Sequence, residues 1–420
     1  MNVLWFTNIA LPEYARANGN SQSLKSSGGW MVGLSDALRR YVPDVRLSVA
    51  FRTPAPGFAQ VDGVDYYGLG DSADGAFPGR VEQCVRSARP DVIHVHGSEG
   101  IAQVLPDSLL SGGKVVLSLQ GIMEEVAKSY LGGLTWADLK SYETIVRRLL
   151  RYPNERQIAT DWQTRRAPRE RELCRRIPAF MGRTRFDRDW IRRINPAAAY
   201  FHVDEILRPE FYRGRAWAAE PGRHVIYAGA AFTYPLKGGH WLLRALKIVK
   251  ESYPDVELRV AASRRCALSN WKDRVSLGAY GYYLVHLIDE LGLRDHVTFL
   301  PALSAQEVRN ELVHANVYCL ASTMENSPNS LCEAQMTGTP AVATRVGGVE
   351  DLATDGVTGY VVAPRDPGEL AEAILRAFRL SPEQAEKMTE GAYEAAVRRH
   401  DPKNIVHDLL AAYRAVEGKK

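Results

Sequence analysis

The sequence lacks most of the features that mark a disulfide scaffold, a membrane span or a nucleic-acid-binding surface. Its five cysteines are scattered and form no Cys-x-x-Cys pair, which argues against a zinc ribbon and fits a reducing cytosol. No apolar run approaches the roughly 20 residues that cross a bilayer. The formal net charge is only +4 and no long run of Lys and Arg occurs, so nucleic acid is not expected as a partner. These absences favour a cytoplasmic globular protein.

What the sequence does contain is an alternation of short β-rich runs with helical patterns, typical of parallel sheets covered on both faces. The length of 420 residues favours two or three domains of roughly 150 residues each. Strands are predicted at 3–7, 47–51, 92–95, 115–119, 224–228, 257–261, 297–300, 317–320 and 341–344, and helices at 30–40, 239–250 and 404–416. We therefore expect an α/β fold of two doubly wound, Rossmann-like domains that face each other across a cleft.

A stretch rich in Pro and Gly, residues 208–222, interrupts this alternation and is the predicted linker. It separates an N-terminal domain, 1–207, from a C-terminal domain, 223–400. The last segment, 401–420, is predicted to be a helix that packs back toward the N-terminal domain.

The strongest local pattern is the loop and helix start that follow the predicted strand 317–320. Glu325 lies in the loop, Asn329 and Ser330 lie where the helix begins, and Glu333 follows eight residues after Glu325. Free backbone N–H groups and the positive end of the helix dipole suit a diphosphate, and Glu333 could accept the hydroxyls of a ribose. The alternative is an ordinary capped helix with two solvated glutamates.

Lys237 follows another predicted strand and precedes Gly238 and Gly239. An ammonium group there could stabilise the negative charge that builds on a departing diphosphate. A solvated loop lysine is the alternative.

The C-terminal half resembles glycosyltransferase family 4, a family with the two-domain GT-B fold and a retaining mechanism. The similar stretches are YAGAAFTYPLKGGHWLLRAL, LGLRDHVTFLPALSAQEV, TMENSPNSLCEAQMTGTPAVATRVGGVEDL and DGVTGYVVAPRD, which cover nearly all of residues 222–380 in order. Features such as GGW, HGSE and LQG resemble a subset that assembles bacterial polysaccharides.

This resemblance implies that Glu325 lies at the sugar or diphosphate end of a nucleotide-sugar donor and Glu333 at its ribose. Amides at Asn329 and Ser330 would bind the phosphates, and the loop 300–304, with Leu303, would meet the base. One position departs from the family, because relatives usually carry Arg where this chain has Ala230. Arg264 or Arg265 could replace it, or Lys237 and the amides could act alone.

In the N-terminal half, Gly28 and Gly29 open the first helix after a long loop, 8–27, where glycines let amides approach a phosphate. That loop carries no Gly-x-Gly-x-x-Gly directly after the first strand, which disfavours a dehydrogenase. The resemblance implies that His96 and Glu99 face the cleft.

His94 and His96 alternate on one predicted strand, and we expect His94 to be a packed sheet residue. Many relatives carry a histidine where this chain has Gln120. Gln cannot act as an acid or base near neutral pH, so Gln120 is assigned to sugar recognition. No metal is predicted: the two histidines lack a third ligand nearby in sequence, and the pattern Asp187-Arg188-Asp189 fits a helix start.

The predicted function is therefore a retaining hexosyltransferase with no cofactor. It would use a UDP- or GDP-type donor and a saccharide or lipid-linked acceptor of surface polysaccharide assembly, with Glu325, Lys237 and His96 as catalytic residues. The Arg-rich stretch 147–176 is either a solvated helical face or a contact with an anionic membrane or a lipid-diphosphate acceptor. A nucleotide-sugar 2-epimerase, a phosphorylase or a silent nucleotide-sugar-binding subunit are the alternatives.

Overall fold

The computed structural model describes residues 1–17, 29–218, 222–229, 231–261 and 264–418. The chain divides into two compact units. Unit 1 comprises residues 1–123, 166–209 and 399–420, and unit 2 comprises residues 124–165 and 210–398. Each unit is built on a parallel sheet covered by helices, so the predicted α/β class with two Rossmann-like domains is confirmed.

Unit 1 contains an eight-stranded sheet in the order β3-β4-β2-β1-β5-β6-β7-β8. Its pairs are parallel except at the edge, where β3 runs antiparallel to β4. The central strands are buried almost throughout, as expected for strands with helices on both faces. The strands are β1 Asn2–Thr7, β2 Arg46–Phe51, β3 Pro56–Val61, β4 Val64–Leu69, β5 Val92–His96, β6 Val115–Ser118, β7 Ala179–Gly182 and β8 Ala199–His202.

Unit 2 contains a six-stranded, all-parallel sheet in the order β11-β10-β9-β12-β13-β14. The strand order reverses between β9 and β12, which is where open α/β sheets bind ligands, at the carboxyl ends of the strands. The strands are β9 Val225–Ala228, β10 Glu257–Val260, β11 Val297–Phe299, β12 Val317–Leu320, β13 Ala341–Thr344 and β14 Tyr360–Val362.

The helices of the described residues lie mainly between these strands. They are α1 Pro12–Ala17, α2 Gly29–Tyr41, α3 Phe77–Ala88, α4 Asp107–Leu110, α5 Met123–Ser129, α6 Trp136–Leu139, α7 Ile145–Leu149, α8 Glu155–Asp161, α9 Ala167–Cys174, α10 Arg185–Ile194, α11 Gly239–Ser252, α12 Trp271–Ser276, α13 Ala279–Glu290, α14 Ala305–His314, α15 Asn329–Thr337, α16 Val349–Leu352, α17 Pro367–Phe378, α18 Pro382–Arg399 and α19 Pro402–Glu417. Among the described residues, none of these helices combines the length and the apolar character needed to span a bilayer.

The division of the chain differs from the predicted one at residues 124–165. These residues were assigned to an N-terminal domain of 1–207, but they belong to unit 2. Leu139 is part of the buried core of unit 2, and Trp241 Nε1 donates a hydrogen bond to the Gly132 carbonyl at 2.8 Å. Sequence order alone does not reveal such a reassignment, because it depends on contacts across more than a hundred residues.

Helix α19 belongs to unit 1, where it contacts α2, β5 and β6. Its Tyr413 is fully buried, and the Tyr413 hydroxyl accepts a hydrogen bond from Trp5 Nε1 at 2.8 Å. The same hydroxyl lies 2.7 Å from His94 Nδ1. The last helix thus closes the core of the unit that contains the first strand.

One other segment differs from the sequence-based expectation, and one agrees with it. The long loop 8–27 was predicted to be irregular, but residues 12–17 form α1, which begins with Pro12 at a position where its missing N–H costs nothing. Residues 18–28 lie outside the described residues. The predicted helix start around Asp187 is confirmed: Thr184 and Asp187 form a capping box on α10.

Candidate functional site

The loop that follows β12 brings an acidic and a basic side chain together in unit 2. Lys237 ends a short 3-10 turn, Pro235–Lys237, between β9 and α11. Its Nζ lies 2.6 Å from Glu325 Oε1, and Ser322 Oγ donates to the same oxygen, also at 2.6 Å. Glu325 is buried, whereas the Lys237 side chain stays 31% exposed. The carboxylate therefore orients an ammonium that solvent, or a ligand, can still reach.

The backbone around this ion pair is held by two glycines in the left-handed region. Gly238 has φ +68°, and a Cβ there would collide with the Ala321 carbonyl. Gly347 has φ +53°, and a Cβ there would collide with the Glu325 carbonyl. The loop is tied further by Thr323, whose N–H donates to the Leu236 carbonyl at 2.8 Å. The turn at 347–348 thus supports the loop that carries Glu325.

Helix α15 begins beside the same loop with Pro328 at its N-cap. Pro328 has no side-chain group that could cap the first turn of the helix. Ser330 lies in the first turn, and its Oγ accepts a hydrogen bond from the buried Tyr318 hydroxyl at 2.8 Å. The positive end of the helix dipole makes this first turn a favourable position for an anion. Glu333 lies one turn further along α15 and is buried.

A pocket of about 400 Å³, a volume that includes open solvent, lies at the carboxyl ends of β9 and β12, where the strand order of unit 2 reverses. Lys237 and Ser330 both line it, as does Gly229 at the end of β9. The other lining residues are Ala228, Phe232, Leu242, Tyr318, Cys319, Leu320, Ala321 and Ser322. The structure thus brings together Lys237, Ser330 and, through its bond to Lys237, Glu325.

The remaining predicted donor residues lie outside this lining. Asn329 is the first residue of α15, and Leu303 is half-buried in the loop between β11 and α14. Gly29 is the first residue of α2 in unit 1, and Gly28 lies outside the described residues. Ala230 and the side chain of Arg264 also lie outside them, and Arg265 is exposed.

Unit 1 carries a second cluster at the carboxyl ends of its strands. The His94 and His96 rings pack against each other with centroids 3.7 Å apart, and both side chains are buried. His94 is bonded to Tyr413 and, through Nε2 at 2.5 Å, to Ser118 Oγ, which makes it the packed sheet residue that was predicted. Burial lowers the pKa of His96 to about 3, so this imidazole is neutral at pH 7.

His96 and Gln120 line a common pocket of about 330 Å³, a volume that includes open solvent. Within the described residues, neither ring nitrogen of His96 has a hydrogen-bond partner. Glu99 is not a lining residue; it accepts a hydrogen bond from Asn8 Nδ2 at 3.2 Å, and burial raises the pKa of its carboxyl. The structure thus brings His96 and Gln120 together and places Glu99 on the loop beyond β5.

Sequence reasoning missed the charged wall of this cavity. Arg183 follows β7 directly, and its Nη1 lies 2.6 Å from Glu205 Oε2, with both side chains buried. Its other terminal nitrogen donates to the Gln120 carbonyl at 3.2 Å. The sequence feature that could have identified Arg183 is its position, as a charged residue immediately after the buried strand Ala179–Gly182. Among the described residues, no group of three or more His, Cys, Asp or Glu side chains is arranged to hold a metal ion.

Comparison with known proteins shows similarity to glycosyltransferases. Residues 214–395 match the family described as glycosyl transferases group 1. D-inositol 3-phosphate glycosyltransferase from Paenarthrobacter aurescens is 33% identical over 151 residues, which are 36% of this chain and 34% of that protein. A relative with the same name from Corynebacterium urealyticum is 32% identical over 181 residues, 43% of this chain and 41% of that protein. The chain thus matches between a third and about two fifths of the length of these curated relatives.

The full length of the chain is similar in fold to solved structures. Sucrose-phosphate synthase from Thermosynechococcus elongatus matches with a TM-score of 0.69 and 14% identity, over 99% of each chain. HepE from Anabaena, solved in complex with UDP, matches with a TM-score of 0.62 and 17% identity, over 99% of this chain and 100% of that one. At such low sequence identity, these matches establish a similar fold and not a shared function. Together the comparisons show the GT-B fold for the chain and a match of residues 214–395 to the glycosyl transferases group 1 family.

Proposed function

We propose that the chain is a retaining glycosyltransferase that moves a hexose-type sugar from a UDP- or GDP-type donor to a hydroxyl acceptor. The observation that carries this proposal is the Lys237–Glu325 pair beside the start of α15, where Lys237 and Ser330 line one pocket at the switch point of unit 2. The group 1 family match over 214–395 supports a nucleotide-sugar donor in this unit.

Lys237 would stabilise the diphosphate as it leaves. Charge builds on the phosphate oxygens when the bond to the sugar breaks, and a preorganised ammonium lowers the free energy of that state. The amides of Asn329 and Ser330 would share this role at the helix N-terminus. Because Glu325 and Ser322 already hold Lys237 and its partner in place, little reorganisation is needed when the donor binds.

The other donor contacts follow from the same placement. Glu325 would face the sugar or diphosphate, and Glu333, one turn along α15, would bind the ribose hydroxyls. Leu303 would contact the base, and Gly28 and Gly29 would approach the phosphates with their amides. No metal is required in this scheme, because Lys237 and the amides carry the charge stabilisation.

His96, Gln120 and Glu99 would contact the acceptor or the transferred sugar in unit 1. At neutral pH a buried, uncharged His96 can donate one hydrogen bond and accept another but carries no charge. We assign it to holding a sugar hydroxyl in position. Gln120 would do the same with its amide.

Retention of configuration follows from substitution on one face of the sugar. The acceptor hydroxyl attacks the anomeric carbon as the carbon–oxygen bond to the diphosphate breaks on the same face. The proton of that hydroxyl passes to the departing phosphate oxygen. The protein then contributes by holding both reactants close and by stabilising the leaving group.

The proposed acceptor is a saccharide or lipid-linked intermediate of surface polysaccharide assembly. This places the protein in the cytoplasm, in peripheral contact with the inner face of an anionic membrane. The basic stretch within 147–176 is the proposed contact.

A thermal-shift panel of UDP, GDP and ADP, followed by a donor-hydrolysis assay, tests the proposal. A ligand at 100 times its Kd is expected to add ~2.7 kcal/mol to the free energy of unfolding. Hydrolysis of the matching UDP- or GDP-sugar should then release free nucleotide. Absence of any shift would remove the donor site, and a sugar epimer formed without free nucleotide would instead identify a 2-epimerase. Binding without turnover, with or without candidate acceptors, would identify a silent binding subunit.

A further inference from the structure

Helix α7 in unit 2 exposes an unusual amount of aliphatic surface. Ile145 is 70% exposed and Leu149 is 77% exposed, and Val146 and Leu150 beside them are exposed as well. Their spacing places all four on one side of a short helix. Single exposed apolar residues need no explanation, but a contiguous group on one helix face marks an interaction site.

Basic side chains flank this aliphatic face. Arg148 and Arg151 are exposed, and the guanidinium of Arg147 donates to the Ser276 carbonyl at 2.9 Å. The acidic neighbour is Glu143, whose carboxylate lies 3.6 Å from Arg148 and is largely covered. Glu143 therefore balances the charge of Arg148, whereas Arg151 has no ion pair among the described residues.

Helix α12 extends the same surface, since it contacts α7. Trp271, its first residue, is 69% exposed, and Lys272 and Arg274 beside it are exposed. Asp273 is the acidic residue of this helix, and its N–H is bonded to the Asn270 side chain that caps the helix. An exposed indole beside basic side chains is typical of a protein surface that contacts the headgroup region of a bilayer.

Several arginines nearer the C-terminal end of the stretch 147–176 are paired with acidic side chains. Arg165 is paired with Asp161, Arg175 with Glu172, and Arg176 with both Glu172 and Asp107. Exposed pairs of this kind form a solvated, charge-balanced face. Only the part of the stretch on α7 combines uncompensated positive charge with exposed aliphatic side chains.

We propose that the surface formed by α7 and α12 docks on a bilayer with anionic headgroups, with Ile145, Leu149 and Trp271 inserted and Arg148, Arg151, Lys272 and Arg274 at the phosphates. This inference rests on the peripheral membrane contact proposed above and narrows it to one surface. Two copies of the surface would repel each other by their like charges. Aliphatic side chains such as Ile145 and Leu149 gain more from hydrocarbon than from nucleic acid, which offers them few apolar partners.

Vesicle co-sedimentation with the full chain tests the proposal, using phosphatidylcholine vesicles with and without phosphatidylglycerol. Binding is expected only with the anionic lipid and should weaken between about 0.15 M and about 1 M salt. Ile145→Ser with Leu149→Ser should weaken binding at least tenfold. Arg148→Gln with Arg151→Gln should weaken it about 25-fold, at about fivefold per basic residue. Arg294→Gln with Arg398→Gln, two exposed arginines of the same unit, is the matched control and should bind as wild type.

A fluorescent label measures insertion directly. The five native cysteines are all buried, so Leu149→Cys supplies one accessible thiol. A polarity-sensitive dye at that position should shift its emission to the blue on anionic vesicles. The same dye on Val357→Cys, another exposed apolar position of unit 2, should not shift.

Three results would overturn the proposal: equal binding to neutral vesicles, a Leu149→Cys signal unchanged by vesicles, or a concentration-dependent dimer that the Ile145/Leu149 variant abolishes. Nucleotide-sugar hydrolysis in solution, measured in parallel, separates this outcome from a failure of the proposed function. The Ile145/Leu149 variant should hydrolyse the donor at the wild-type rate.

Discussion

At the scale of single residues, the ion pair in unit 2 makes the sharpest prediction. Lys237→Ala removes the ammonium that would meet the leaving diphosphate, so turnover should fall ~10²–10³-fold, as when one preorganised oxyanion donor is lost. Lys387→Ala, an exposed lysine in α18 of the same unit, is the control and should keep wild-type turnover. Initial rates at saturating donor are the measurement. Near-normal turnover of the Lys237 variant would exclude that side chain from catalysis.

His96 gives a second prediction at this scale, on stability. Burial lowers its pKa to about 3, below the ordinary value of 6.5. Between these two pH values the histidine binds a proton in the unfolded chain but not in the native protein. The stability from this histidine is therefore present above pH 6.5 and is lost as pH falls toward 3, at ~1.4 kcal/mol per pH unit. His96→Phe keeps an aromatic ring and should retain about 2 kcal/mol more of its pH 7 stability at pH 5 than wild type does.

Urea unfolding at pH 7 and pH 5 measures this difference. His407→Gln, at an exposed position of α19, is the control and should follow the wild-type pH dependence. An identical loss of stability in wild type and His96→Phe would contradict the assignment of a neutral, buried imidazole.

At the scale of elements, the turn at 347–348 fixes where the Glu325 loop lies. Gly347→Ala would force a left-handed alanine and a contact with the Glu325 carbonyl, so we expect nucleotide affinity to fall at least tenfold. Gly292→Ala is a matched control, because Gly292 has φ +64° and open space around its Cβ position. It should cost about 1 kcal/mol of stability and leave nucleotide binding intact. Isothermal titration with UDP or GDP distinguishes them; equal affinities would show that the turn does not position the site.

The elements that periodicity could predict are the buried, regular ones. The hydrophobic runs at β1, β2, β5, β6 and β9 to β13 were found from sequence because strands covered on both faces are nearly continuous apolar segments. The edge pair β3 and β4 was missed, since β3 alternates exposed and half-buried residues and begins with Pro56. Strands β7 and β8 were missed as well; β8 is half-buried to exposed, so it does not form the continuous apolar run that marks a buried strand.

The candidate site divides in the same way. Lys237, Glu325 and Ser330 could be named because each follows a recognisable strand or opens a helix. Arg183 and Glu205 could not, because they meet only through folding and lie on separate segments that carry no motif. The place of residues 124–165 in unit 2 is likewise a tertiary property, set by residues such as Leu139 in its core.

At the scale of the whole molecule, the two units should respond separately to a nucleotide. A diphosphate bound at the ends of β9 and β12 at 100 times its Kd is expected to slow exchange of the core amides of unit 2 by about 100-fold. Core amides of β1 and β5 in unit 1 should be slowed much less, because most of the proposed diphosphate contacts lie in unit 2. Hydrogen exchange with and without UDP or GDP is the measurement, with AMP as a control. Equal protection of both cores would place the ligand elsewhere.

The contact between Trp5 and Tyr413 constrains the order in which the two units can fold during synthesis. These side chains are 408 positions apart in the chain, yet each satisfies the other in the core of unit 1. As the polypeptide leaves the ribosome, all of unit 2 emerges before α19 does. Unit 2 can therefore fold on the nascent chain before Tyr413 is available to accept the hydrogen bond from Trp5 Nε1. Unit 1, whose first strand is synthesised first, can complete its core only after unit 2 has been synthesised.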